Sequence, residues 1–208
     1  MNKRKLTALL LALMLILCGC QGGRQNAAIP EDTTVEKSDN SFGARYSFNM
    51  KSIDKKLSEA LADYSADYDK VQWQTLSSGL IDDNGVAYTS YCKTQKGITY
   101  TAAVEDDSKK VMNLGCGCAT KRLDTVLYRE RFLKLNAAIA QCAGGYTESD
   151  RVFLMKLFDD LLSGDEDTLV YRDMLYIKSV DEETTVLMTA PCSDIVIRKN
   201  DYREYEFN

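Results

Sequence analysis

The stretch ITYTAAVEDDSKKVMNL, residues 98–114, decides the fold. Ile98, Tyr100, Ala102 and Val104 alternate with Thr99, Thr101 and Ala103, the period of a β-strand. Asp106, Asp107 and Ser108 then turn the chain, and Val111 to Leu114 predicts another short strand. A turn this short joins antiparallel neighbours. Toward the N-terminus, Thr94 to Gly97 is a second turn, and Val86 to Cys92 is rich in β-branched and aromatic residues. Asp82, Asp83, Asn84 and Gly85 make a third turn, with Val71, Trp73 and Thr75 alternating ahead of it. Four short strands in succession predict an antiparallel meander.

Helical periodicity brackets this meander. Ile53, Leu57, Ala60, Leu61 and Tyr64 predict an amphipathic helix over 52–67, with Ser52 as its cap and Asp54 in the first turn. Tyr128, Phe132, Leu135, Ile139 and Cys142 mark one face of a helix over about 121–142, which Gly144 and Gly145 end. Thr147 and Asp150 have the spacing of a capping box. Leu154, Leu157, Phe158, Leu161 and Leu162 predict a helix over about 148–163 that stops at Gly164. Strands are expected over about 167–172, 174–180 and 184–191, with a short one near 194–197. The charged, aromatic tail from Arg198 has no readable period.

Runs of strands alternating with runs of helices define an α+β domain, with antiparallel sheet meanders and helices packed on one face. The order also admits two helix-plus-meander halves. In that order the chain is similar to β-lactamase-inhibitor-type proteins, which lay helix pairs on antiparallel sheets. The resemblance rests on element order and implies no activity.

The N-terminus carries an address. Lys3, Arg4 and Lys5 precede an apolar run of about a dozen residues, Leu6 to Leu17, and small Gly19 stands before Cys20. This is the order of a secretory signal, and the run is shorter than the ~20 residues a membrane-spanning helix needs. Leu17, Cys18, Gly19 and Cys20 resemble the lipobox of bacterial lipoproteins, although Cys18 holds a position usually given to a small residue. The resemblance implies cleavage before Cys20 and diacylglycerol on its sulfur. Two acyl chains suffice for stable anchoring where one does not. The expected organisation is a signal peptide over 1–19, a lipidated cysteine and flexible tether over 20–45, and one globular domain over 46–208. The expected location is the extracytoplasmic face of a cell membrane. The tether reading rests on sparse, aperiodic apolar residues among Gly22, Gly23, Pro30, Asp32, Ser38, Asn40 and Gly43.

Charge narrows the partners. The chain has 26 Lys and Arg against 31 Asp and Glu. Removing the leader removes three bases and no acid, leaving 23 against 31, a net charge of −8. No nucleic-acid partner is expected, because that binding needs clustered bases. The lipid anchor, rather than a basic patch, makes the membrane contact.

The chain contains no histidine. Ser-His-Asp and Cys-His catalysis and imidazole metal sites are therefore excluded. No phosphate-binding loop, dinucleotide fingerprint or calcium loop is present, and no metal or cofactor is expected. Asp165, Glu166 and Asp167 are consecutive and lack alternating ligand spacing. Five cysteines follow Cys20: Cys92, Cys116, Cys118, Cys142 and Cys192. Cys116 and Cys118 are expected between a strand and a helix N-terminus, where the dipole favours thiolate, so they are the redox candidates. Local geometry favours pairing one of them, or Cys192, with Cys92. Twelve tyrosines supply amphipathic contact area, and Tyr88 and Tyr91 on one predicted strand are the binding candidates. The expected function is a non-enzymatic binding module for an envelope protein or small ligand. The alternative is a thiol-dependent redox or sulfur-handling protein.

Overall fold

The computed structural model describes residues 35–36, 45–62, 68, 71–82 and 85–192. Cys20, the leader, the expected strand near 194–197 and the C-terminal tail lie outside them. The elements are β1 (Val35–Glu36), β2 (Arg45–Tyr46), α1 (Met50–Leu61), β3 (Gln74–Ile81), β4 (Ala87–Gln95), β5 (Ile98–Glu105) and β6 (Val111–Ala119). Then come α2 (Val126–Gly144), α3 (Arg151–Ser163), β7 (Thr168–Tyr171), β8 (Met174–Val180) and β9 (Thr184–Pro191). The fold is α+β. One seven-stranded sheet runs β3-β4-β5-β6-β9-β8-β7, antiparallel throughout. Each meander ends at the sheet's centre, where β6 pairs with β9.

Several boundaries move for physical reasons. Helix α1 starts two residues before the expected cap, because the Asn49 side chain accepts the Ser52 N–H. The first helical turn after β6 is a separate 3-10 turn, Thr120–Arg122, and α2 begins at Val126. The Thr147–Asp150 capping box is present, although it caps a short 3-10 turn ahead of α3. The segment expected to be wholly tether carries a two-residue ladder, Val35 against Tyr46 and Glu36 against Arg45. Tyr46 is buried and stacks on Phe48. That anchor fixes β2 on the domain and leaves its edge open for β1.

Sheet register sorts the side chains into two faces. Tyr91, Ala102, Leu114, Thr189, Tyr176 and Leu169 form one row across the sheet. This face meets the helices in the main core, where α2 contributes Phe132, Leu135, Ile139 and Ala140 and α3 contributes Leu154, Leu157, Phe158 and Leu161.

The second face is buried over its inner strands and opens at its edges, where Gln74 is exposed and Thr168 half-buried. Gln74, Cys92, Thr101, Gly115, Met188, Ile177 and Thr168 form a row that crosses all seven strands. Val170, Leu175, Ile177, Val186, Met188 and Cys192 cluster here, and Leu76 of β3 packs against them. In a flat sheet, β3 would stand about 19 Å from β9, four strand spacings away. The contact therefore requires the sheet to curl so that its second face closes on itself. Gly115 and Gly117 permit this. A Cβ on Gly115 would stand on the carbonyl oxygen of Leu187, and one on Gly117 would lie 2.8 Å from Val186 Cγ2. Glycine inside a strand marks this kind of close backbone approach.

Candidate functional site

The curled face holds polar groups that the protein does not satisfy. Ser90 on β4 lies opposite Ala103 on β5, and Ala103 lies opposite Asn113 on β6. Thr101, two residues before Ala103, lies opposite Cys92 and Gly115. Ser90, Thr101 and Asn113 are each at most 1% exposed. Ser90 Oγ, Thr101 Oγ1 and Asn113 Oδ1 have no hydrogen-bond partner in the protein. Buried polar atoms are nearly always paired, and an unpaired one costs about 1–3 kcal/mol. The three stand on adjacent strands of one face. No charged side chain stands among Ser90, Cys92, Thr101, Ala103, Asn113 and Gly115. Tyr88, also buried, packs against Ala103 and Met112 on the same face.

A second polar cluster is closed. Asp54 Oδ1 accepts from the Tyr68 hydroxyl at 2.8 Å and from Trp73 Nε1 at 2.7 Å. Lys93 Nζ stands 3.4 Å from the same oxygen and 3.4 Å from the centre of the Tyr68 ring. Burial, with the Asp54 carboxylate beside it, holds the Tyr68 hydroxyl protonated far past its ordinary range. The buried ammonium is matched by a carboxylate and an aromatic face. This arrangement fastens α1 to the sheet.

The structure separates the two tyrosines chosen from the sequence. They are three residues apart on one strand, so they point to opposite faces. Tyr88 is 1% exposed on the curled face, and Tyr91 is half-buried against the main core. Neither forms an open docking surface.

Cys116 and Cys118 lie inside β6, which runs on to Ala119, instead of at a helix N-terminus. Both side chains are buried in the main core. Burial pushes the Cys116 thiol well above its ordinary value and the Cys118 thiol up to about 12, opposite to the expected direction. Cys92 lies on the curled face, across the sheet from both, and all five described cysteines are free thiols. Cys142 sits near the end of α2 with its Sγ 3.8 Å from Lys56 O.

Nothing in the sequence reading marked Ser90, Thr101 or Asn113 as a set. A signal was present, because β6 carries no charge in nine residues, VMNLGCGCA. Strands buried on both faces read as near-continuous uncharged runs, although an uncharged run such as β3 is also found largely exposed. The Lys93 cluster left no spacing signal, since its members come from a helix, a strand and the segment between α1 and β3. Among the described residues, no three His, Cys, Asp or Glu side chains gather to hold a metal ion. No helix there is long and apolar enough to cross a membrane. No protein-family model, curated protein or solved structure matches this chain.

Proposed function

We propose that this protein is a lipoprotein held at the extracytoplasmic face of a cell membrane by diacylglycerol on Cys20. Its curled α+β domain acts there as a non-enzymatic binding module of the envelope. The address follows from the order of basic, apolar and small residues before Cys20. The observation that supports binding is the group of three buried polar atoms without protein partners on one sheet face. It favours a small ligand over a docked protein, because the groups lie inside the fold rather than on an open surface. The thiol-redox alternative lacks such support, since Cys116 and Cys118 are held as protonated thiols within the core.

Two measurements test the two parts. In cells fed a labelled fatty acid, the wild-type chain is expected in the membrane fraction carrying label. Cys20→Ser is expected to lose both. Label and membrane retention unchanged in Cys20→Ser would overturn the anchor. The native mass spectrum of the membrane-extracted protein is expected to show a non-covalent adduct beyond chain plus lipid. A spectrum without any adduct would overturn the binding module.

A further inference from the structure

The geometry points to a small, neutral, polyhydroxyl ligand, of the ring-polyol or monosaccharide kind, bound by Ser90, Thr101 and Asn113; this rests on the binding-module reading above. Ser90 and Asn113 flank Ala103 on strands two spacings apart, so their backbones are about 10 Å from each other. One water, with hydrogen bonds of about 2.8 Å, spans roughly 6 Å between two partners. A single water therefore cannot serve both ends, whereas a ring bearing hydroxyls on opposite sides can. Each hydroxyl of Ser90 and Thr101 both donates and accepts, which matches the dual character of a ligand hydroxyl. The ligand is neutral because Ser90, Thr101 and Asn113 carry no charge and Glu105, opposite Tyr88 at the margin of the site, is already matched by Arg45, so a buried ion would gain no free counter-charge. Tyr88 and Ala103 supply the apolar wall that such sites place beside a few fixed polar groups.

Entry requires the curl to open, and β3 is the strand that opens it. It is an edge strand, and its pairing with β4 is irregular between Thr75 and Ser77 and between Ser77 and Leu80. Ser77 lies opposite Ser90, so these irregularities flank the polar site. Gly79 adds a left-handed residue (φ 65°) in the middle of the strand. Leu76 holds this strand against the β7–β9 cluster, and releasing that contact exposes the site.

The test uses the mature full-length protein in detergent. Its thermal midpoint is followed against rising myo-inositol, glucose and N-acetylglucosamine. Polyols raise the midpoint of any protein by exclusion, without saturation. The expected result is a further, saturating rise at millimolar concentration with at least one of the three. Ser90→Ala/Thr101→Val is expected to fold, to keep the unsaturating rise and to lose the saturating one. Leu76→Ala, which leaves the polar groups intact, is expected to keep the saturating rise and to bind faster. A wild type with no saturating response to any of the three probes would overturn the inference, as would a double variant that keeps it. If the native spectrum still carries an adduct in either case, the ligand class falls and the binding module stands. If the adduct is also absent, both fall.

Discussion

Gly115 shows how much one missing methyl group decides. It faces Met188 across the central β6–β9 pair, and a Cβ there would collide with the Leu187 carbonyl and lie 2.6 Å from Met188 Cγ. Backbone cannot rotate aside as a side-chain end can. Gly115→Ala is expected to cost about 3 kcal/mol or more, above the usual range for overpacking. At Gly117 a Cβ meets the side chain of Val186 first, so Gly117→Ala is expected to cost about 1–2 kcal/mol. Urea unfolding of both variants checks the order, and equal costs would mean that β6 does not approach β9 as closely as described. These glycines also explain a misread boundary. The sequence alone ends the strand at Leu114, because glycine is a poor strand former by propensity. The strand continues to Ala119, since the close approach to β9 selects glycine regardless of propensity. The unsatisfied groups of Ser90, Thr101 and Asn113 were not legible for a related reason. Their significance depends on which face of which neighbouring strand they share, and local pattern carries no register.

At the scale of elements, strands are legible where turn residues bracket an apolar or alternating run, and helices where an apolar stripe recurs. Strands β5, β8 and β9 and the apolar stripe of α3 fall close to their expected bounds. Helix α1 was read from its stripe, Ile53, Leu57 and Leu61, all buried. What ties it to the sheet was not readable. Asp54, expected to serve the helix dipole, instead accepts from Tyr68, Trp73 and Lys93. Asp54→Ala leaves the Lys93 ammonium buried over Tyr68 without this carboxylate. It is expected to cost about 2–3 kcal/mol, reduced from the fully buried case because Asp54 is part-exposed. Lys93→Met keeps the volume and removes the charge, and is expected to change stability by less than about 1 kcal/mol. In the Lys93→Met background, Asp54→Ala should then cost at least about 1 kcal/mol less. A double-mutant cycle by urea unfolding measures the difference, and a coupling near zero would show that the cluster does not fasten α1.

Over the whole molecule, burial of acidic protons sets an alkaline limit. Desolvation raises Cys116, Tyr46 and Tyr176 far above their ordinary values, 9.0 for the thiol and 10.0 for the phenols. It also carries Cys118 and Tyr146 up to about 12. Each group has a folded value above its unfolded one, so its contribution to stability is complete below the unfolded value. Above pH 9 the unfolded chain releases protons that the fold retains, and the unfolded state gains. Each fully buried group then costs about 1.4 kcal/mol per pH unit until its own folded value is passed. The acid side has the opposite sign. Desolvation works against it, yet the N–H groups of Thr184 and Glu183 hold the Asp181 carboxyl below its ordinary 3.8, so its contribution is lost as pH falls below that value. The urea midpoint is therefore expected to be level near neutral pH, to fall from about pH 9 as thiols ionise in the unfolded chain, and to fall more steeply above about pH 10 as tyrosines join. Tyrosinate absorbance should lag behind that of free tyrosine and then rise in one step with loss of the far-ultraviolet signal. Gradual ionisation at ordinary tyrosine values in a still-folded protein would mean that Tyr46, Tyr146 and Tyr176 reach water, and that the core between helices and sheet is looser than its side-chain burial implies.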